Sequence, residues 1–176
     1  MTSSDSELQQ FALGVYAADG VSAAALLLQD KTDVDVNVLL FAAHLGAAGG
    51  RTLRADDVAA ARQRIGEWHA DVVRPLRALR TRLKAGPPPA PNDTTAQLRE
   101  RVKKLEIDAE LIELDELALV AAQLDAPAAD GSAAQRAAAA MRVVVVDSAG
   151  RPPTADENDA ISVIAAAAAQ YGEEGR

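Results

Sequence analysis

Apolar residues recur every three or four positions through the middle of the chain. Between residues 58 and 83 they are Val58, Ala61, Ile65, Trp68, Val72, Leu76, Leu79 and Leu83. This spacing places them on one face of an α-helix. A Pro-rich break at residues 86–92 separates this run from a second helical run, which extends from about Thr95 to Leu124. The pattern predicts a long antiparallel helical hairpin over residues 55–124, bent near Pro75 because proline interrupts the helical hydrogen-bond ladder.

Shorter amphipathic runs flank the hairpin on both sides. Ser4 and Glu7 have the spacing of a capping box, which predicts a helix start, and two further short helices are expected before residue 50. After the hairpin an Ala-rich run continues into Val143–Val146, which suits either a helix or a short strand. Thr154 and Glu157 predict the start of the last helix. We therefore predict an all-α fold, a compact bundle of about six or seven helices built around the hairpin.

Three aromatic side chains are predicted to lie in the core: Phe11, Phe41 and Trp68. With 176 residues, the chain has the length of one domain, or of one domain with a helical appendage. We divide it into a short-helix region, residues 1–50, the long hairpin, residues 51–124, and Ala-rich C-terminal helices, residues 125–176.

The charge around the Pro-rich break is strongly one-sided. The bases that surround it are Arg74, Arg77, Arg80, Arg82, Lys84, Arg99, Arg101, Lys103 and Lys104. Only Asp93 and Glu100 accompany them, and the second run then becomes acidic. Cations at the end of the first helix suit its dipole, whereas those in the first turns of the second do not. We name the bases from Arg77 to Lys104 the basic tip and predict that they bind an acidic partner.

The composition limits the classes of function. The chain has no cysteine, which excludes disulfides, thiolate zinc sites and thiol nucleophiles. Its net charge of −8 argues against nucleic-acid binding over the whole surface, although a local contact at the basic tip stays open. The polar N-terminus has no signal-peptide pattern, and no apolar run approaches the ~18–20 residues needed to cross a bilayer. We expect a soluble cytoplasmic protein without a membrane partner.

No motif in the chain predicts a catalytic, cofactor-binding or metal-binding residue. Residues 33–37 begin like a calcium-binding loop, but its sixth position is Val38 instead of Gly and its twelfth is His44 instead of Glu. The histidines, His44 and His69, lack the Glu-x-x-His spacing of a helical dimetal site. We expect His44 at a helix edge and His69, which follows Trp68, in solvent. No cofactor is expected.

A polar segment, residues 29–37, separates the second predicted helix from the third. Gln29, Asp30, Asp35 and Asn37 cluster in it. Side chains of this type bond the free backbone N–H groups at a helix start. We predict that these four residues form a structural polar turn that joins the two helices.

The residues from Phe11 to Gly46 follow a recognisable pattern. It comprises Phe11, Tyr16, Gly20-Val21, Leu28-Gln29-Asp30, Asp35-Val36-Asn37 and Leu39-Leu40-Phe41. This pattern resembles an uncharacterised family of small, helical, mostly proteobacterial proteins. The likeness continues more weakly through residues 72–84 and 98–110, so that it covers about the first two thirds of the chain. Because the members of that family carry only a domain of unknown function, the resemblance implies no activity.

These observations favour a non-enzymatic helical interaction protein, an adaptor or regulator that presents the charged hairpin to a macromolecular partner. We expect a protein partner of acidic character, and self-association is also open. The alternative is a helical small-ligand-binding or enzymatic domain, in which Asp30, Asp33, Asp35, Asn37 and His44 converge on a pocket. A third possibility is a contact with RNA or the ribosome through the basic tip. A deep polar pocket would favour the ligand-binding function.

Overall fold

The structure is a computed structural model and describes residues 6–174, with side chains for residues 6–172. Its helices are α1 Glu7–Tyr16, α2 Val21–Thr32, α3 Val36–Ala47, α4 Ala55–Trp68, α5 Arg74–Arg82, α6 Asp93–Gln123, α7 Ala133–Ala149 and α8 Ala155–Glu174. A π-helical turn, His69–Val73, joins α4 to α5 without a break. When α4, the π turn and α5 are counted together, the bundle has seven helices over these residues, which confirms the all-α prediction.

The predicted hairpin consists of α4, the π turn and α5 on one side and α6 on the other. Its irregularity lies just upstream of Pro75, in the π turn, where the N–H of Arg74 bonds to the carbonyl of His69 five residues earlier. Proline cannot donate to the carbonyl four residues before it, and its ring collides with that carbonyl. The wider turn accommodates both effects and adds one residue to the local repeat.

Helix α3 lies at the centre of the bundle and packs against α7, α8, α6 and α1. Ten of its twelve residues are buried, among them Phe41, and Phe11 of α1 is buried beside it. Gly46 lets α3 approach α7 closely, because a methyl group there would lie 2.5 Å from the carbonyl oxygen of Arg136. The Arg136 guanidinium donates back to the carbonyls of Gly46 and Ala47, which lack helical partners at the end of α3.

The expectation that Trp68 lies in the core is wrong, since 38% of its surface is exposed. The extra residue of the π turn shifts the apolar face, so that Ile65 and Val73 are buried at this level while Val72 is only half-buried. The indole N–H of Trp68 donates to the carbonyl of Ala109 at 3.0 Å. The ring therefore lies along the side of α6, where its polar atom finds a partner.

Other expectations concern helix ends. Val143–Val146 is helical and belongs to α7. Thr154 and Glu157 form the predicted capping box, with the N–H of Thr154 bonded to Glu157 Oε2 at 2.8 Å. Ser4 lies outside the described residues, and the side chain that caps α1 is that of Ser6. The division into three regions stays a prediction.

No single helix among the described residues is both long and apolar enough to cross a membrane. By length and composition only α1 and α2 taken together meet that requirement, and they are bent by 97° relative to each other.

Candidate functional site

His69, the first residue of the π turn, contacts carboxylates from two other helices. Its Nδ1 lies 2.9 Å from Asp35 Oδ2 and 2.9 Å from Glu113 Oε1. The wider spacing of the π turn sets the direction of this side chain, and turns of this kind are frequent at functional sites. We name Asp35, Asn37, His69 and Glu113 the His69 cluster.

Asp35 is held in place by the start of α3. It is the N-cap residue, and its Oδ1 accepts hydrogen bonds from the backbone N–H groups of Asn37, at 2.8 Å, and Val38. Asp33 ends α2 with a positive φ of 53° and turns the chain towards this cap. One carboxylate oxygen of Asp35 thus caps the helix, while the other faces His69.

Glu113 supplies the buried side of the cluster. Its side chain is fully buried, and its Oε2 accepts a hydrogen bond of 2.7 Å from Asn37 Nδ2. The same Asn37 amide also donates to the carbonyl of Glu110 at 3.3 Å. Both oxygens of Glu113 therefore have partners, as a buried carboxylate requires.

The electrostatics of the cluster favour a protonated imidazole. Hydrogen bonds to Asp35 and Glu113 raise the pKa of His69 from 6.5 to about 10, against the opposing effect of burial. Burial raises the pKa of Asp35, but the hydrogen bonds from His69 and from two backbone N–H groups outweigh it and leave this pKa below its ordinary value. The raised pKa of His69 thus favours its protonated ring at neutral pH.

A second ionic cluster, the Arg77 network, lies farther along the hairpin. Arg77 donates to Glu106 at 3.1 Å and to Glu110 at 2.6 Å, and Arg80 also binds Glu106. Burial and the carboxylate of Glu110 raise the pKa of Tyr16, whereas the charge of Arg77 acts in the opposite direction. The network links α5 to α6 through paired side chains.

The His69 cluster lies between two grooves. The first, of about 870 Å³, is lined by His69 and Asp35 together with Arg74, Arg77 and other side chains of α2, α4 and α5. We name it the cationic groove, since its lining also includes Arg62 and Arg82.

The second groove, of about 460 Å³, is mainly apolar and is lined by residues of α1, α2, α3, α5 and α6. Tyr16, Asn37 and Glu110 supply part of its polar lining. Gln29, Asp35 and Arg77 line both grooves and so separate them.

The donor set of the cluster could also hold a metal ion. One ligand atom each from Asp35, His69 and Glu113 lie within 4.8 Å of one another. Imidazole nitrogen and carboxylate oxygen are common ligands of zinc and other divalent metals. Such an ion would have to displace the proton from His69 Nδ1, so its binding would compete with the ion pairs.

The predicted polar turn is present only in part. Asp35 caps α3 as expected, but Asn37 bonds to α6 instead of to the turn. The side chains of Gln29 and Asp30 make no hydrogen bond within the described part of the chain, and Asp30 is exposed. The turn is therefore tied mainly to the π turn, through His69, and to α6.

The predicted pocket, which would combine His44 with residues of the polar segment, is not present among the described residues. Asp33, Asp35 and Asn37 line one groove or the other, whereas His44 packs edge-on against Phe11, with ring centres 4.9 Å apart. His44 lies on the face of α3 that packs against α1, in the interior of the bundle.

The basic tip is partly neutralised within the molecule. Arg77 and Arg80 pair with Glu106 and Glu110, not with Asp93 or Glu100. Of the remaining bases Arg99 pairs with Glu100 at 3.3 Å. The bases that make no ion pair among residues 6–172 are Arg82, Lys84, Arg101, Lys103 and Lys104.

Sequence reasoning missed His69 and Glu113, and expected His69 in solvent. The signal for Glu113 lies in the periodicity of α6. Glu106 and Glu113 are seven residues apart and fall on the same buried face as Val102 and Ala109. A carboxylate at an apolar position of an amphipathic helix indicates a buried partner of opposite charge.

Comparison with known proteins matches a family model to the part of the chain that contains the site. The family model described as "Protein of unknown function (DUF2390)" matches residues 7–117. This range includes the whole His69 cluster and the Arg77 network, whereas α7 and α8 lie beyond it. The resemblance to a family of unknown function is confirmed. No curated protein and no solved structure matches the chain.

Proposed function

Since the chain belongs to the DUF2390 family of proteins of unknown function, we propose its function from the site: a helical domain that binds a small anionic ligand in the cationic groove. The observation that carries the proposal is the position of His69, which lines that groove while its Nδ1 lies 2.9 Å from carboxylate oxygens of both Asp35 and Glu113. It corresponds to the small-ligand alternative of the sequence analysis, but of the five residues named there only Asp33 and Asp35 line this groove, together with His69.

The charges around the groove support an anionic ligand. Four arginines and His69 line it, against the carboxylates of Asp33 and Asp35. Arg62 is paired with Asp147 at 3.2 Å and Arg77 with the acids of α6. The other two arginines, Arg74 and Arg82, make no ion pair in the part of the chain that the structure describes, which leaves their charge available to a ligand.

His69 would act as a hydrogen-bond donor. Its Nδ1 faces the carboxylates, and the ring borders the groove with 22% of the side chain exposed. A protonated imidazole donates from both ring nitrogens, so Nε2–H can bind a phosphate or carboxylate oxygen. We assign no catalytic role, because a group with a pKa of about 10 is a poor base at neutral pH.

Isothermal titration calorimetry with inorganic phosphate, pyrophosphate and citrate tests this function. We expect saturable, salt-sensitive binding of at least one of them. In the double variant Arg74→Ala/Arg82→Ala affinity should fall about tenfold or more, since a hydrogen bond to a charged group contributes roughly 1.5–3 kcal/mol.

The matched control is Arg64→Ala, which removes an arginine of α4 that pairs with Glu116 outside the groove. Its affinity should equal that of the wild type. Absence of saturable binding with all three anions would contradict the proposal, as would an equal loss in the control.

A second candidate function is the adaptor role, with the basic tip as its contact surface. Arg101, Lys103 and Lys104 favour it, because they are exposed and without an ion-pair partner among the described residues. Reversal of these three bases to Glu should abolish capture of an acidic protein and leave the melting temperature nearly unchanged, as exposed charges contribute only ~0–1 kcal/mol each. Unchanged capture would reject this surface, and capture of RNA instead would favour the nucleic-acid contact.

A further inference from the structure

Helix α6 carries a line of large apolar side chains that no other described helix covers. They are Leu98, Leu105, Ile112 and Leu119, which are 43%, 55%, 46% and 51% exposed. Single exposed apolar residues are ordinary on a protein surface, but a continuous line of them marks an interaction site. We name these four residues the α6 stripe.

The α6 stripe has the spacing of a helix–helix seam. Its members are seven residues apart, a period that keeps them on one side of a helix over ~32 Å at 1.5 Å per residue. The midpoint of the stripe lies between residues 108 and 109, so Leu98 mirrors Leu119 and Leu105 mirrors Ile112 about it. A stripe with this symmetry can meet a second copy of itself in antiparallel orientation.

The charges of α6 select the same partner and orientation. Residues 99–104 carry four bases, Arg99, Arg101, Lys103 and Lys104, against the single acid Glu100, whereas every charged residue from Glu106 to Glu116 is an acid. In a parallel pair like charges would face each other, whereas in an antiparallel pair the basic segment 99–104 of each helix faces residues 113–118 of the other, which contain Asp115 and Glu116 and no base.

We propose that the protein forms a homodimer in which α6 pairs with α6 of a second copy, antiparallel, about a twofold axis near residues 108–109. Leu105 and Ile112 lie nearest the axis and pack across it. Arg101 of each copy comes opposite Asp115 and Glu116 of the other. No residue of α6 lines the cationic groove, so that this pairing leaves the groove open, and the inference is independent of the proposed ligand.

Sedimentation equilibrium of the full chain tests the association. The wild type should have the mass of two chains of 18.3 kDa, and Leu105→Glu/Ile112→Glu should have the mass of one, with an unchanged far-ultraviolet circular dichroism spectrum. The matched control is Leu13→Glu/Leu26→Glu, which adds the same two charges at equally exposed leucines of α1 and α2 and should leave the dimer intact. A wild type that stays monomeric at all concentrations would overturn the proposal.

Cysteine cross-linking tests the orientation without relying on a destabilising change, because the chain has no cysteine of its own. Under oxidation Asp108→Cys, next to the axis, should form a disulfide-linked dimer. Leu98→Cys alone should not, but it should cross-link to Leu119→Cys when the two variants are mixed. Cross-linking of Leu98→Cys to itself would indicate a parallel pair and overturn the arrangement, as would a dimer in which none of these positions reacts.

Discussion

The two histidines of this chain lie in opposite environments. His69 sits between two carboxylates, and hydrogen bonds to them raise its pKa to about 10. His44 packs against Phe11, neither of its ring nitrogens has a hydrogen-bond partner among the described residues, and its Nε2 is 3.9 Å from Glu7 Oε1. Burial therefore lowers the pKa of His44, with the charge of Glu7 acting in the opposite direction.

The difference shows that partners, more than burial, decide what a histidine does. Both side chains are mostly buried, 15% exposed for His44 and 22% for His69. The lowered pKa of His44 favours a neutral ring that fills space beside Phe11, whereas the raised pKa of His69 favours a charged ring bonded to Asp35 and Glu113. Only the second is equipped to present a charged donor to a groove.

The largest expected effect comes from removal of the buried carboxylate beside His69. Glu113→Ala should lower the free energy of unfolding by ~3–5 kcal/mol, because it breaks a buried ion pair and leaves the amide of Asn37 without its acceptor. Urea denaturation measures this loss. Asp156→Ala is the matched control, since its exposed pairing with Lys31 should contribute only ~0–1 kcal/mol. Equal losses of unfolding free energy in both variants would contradict the account, because the His69 cluster would then contribute no more than an exposed ion pair.

The pH dependence of stability should separate the two histidines. The folded pKa of His69 lies above its unfolded value of 6.5, so its contribution is fully present below pH 6.5 and is lost as the pH rises towards about 10. The slope of one titrating group cannot exceed about 1.4 kcal/mol per pH unit. We expect a fall in wild-type stability between pH 6.5 and 9 that His69→Gln lacks. An equal dependence of stability on pH in both proteins would contradict this prediction, because a group other than His69 would then cause it.

The smallest effect is expected at His44. Its folded pKa lies below 6.5, so protonation opposes folding and stability falls as the pH drops below that value. His44→Leu should therefore change stability at pH 7 by only ~0–1 kcal/mol, with either no change or a gain, because it replaces a buried polar ring that lacks partners. Between pH 5 and 6.5 this variant should lose the decline of the wild type. A large loss at pH 7 would indicate a hydrogen bond to His44 that the structure does not contain.

The sequence predicted much of the fold because helical periodicity and caps are local. The apolar repeats located the hairpin, and the polar segment placed Asp35 among the side chains expected at the start of the third helix; both are present. Local periodicity does not reveal the π turn. Its one additional residue changes the helix face on which every later position lies. Trp68, which lies directly before the turn, was predicted in the core and His69, its first residue, in solvent, while both are partly buried against α6.

The candidate site depends on tertiary packing more than on local pattern. His69 and Glu113 are 44 residues apart on facing helices, and the register that brings them together is set by the π turn and by the Arg77 network. Spacing rules within one helix cannot reveal a pair of this kind. Glu106 and Glu113, which belong to the acidic run of α6, are buried and face the bundle interior.

Nuclear magnetic resonance titration of the two imidazole rings tests the central claim most directly, with His69→Gln and His44→Leu assigning the signals. The account predicts that His69 is protonated at both ring nitrogens from pH 6 to 8 and loses its proton only near pH 10, while His44 is neutral at pH 7 and titrates below 6.5. A His69 that is neutral at pH 7, with a midpoint near 6.5, would contradict it, because the cationic groove would then lack its charged donor.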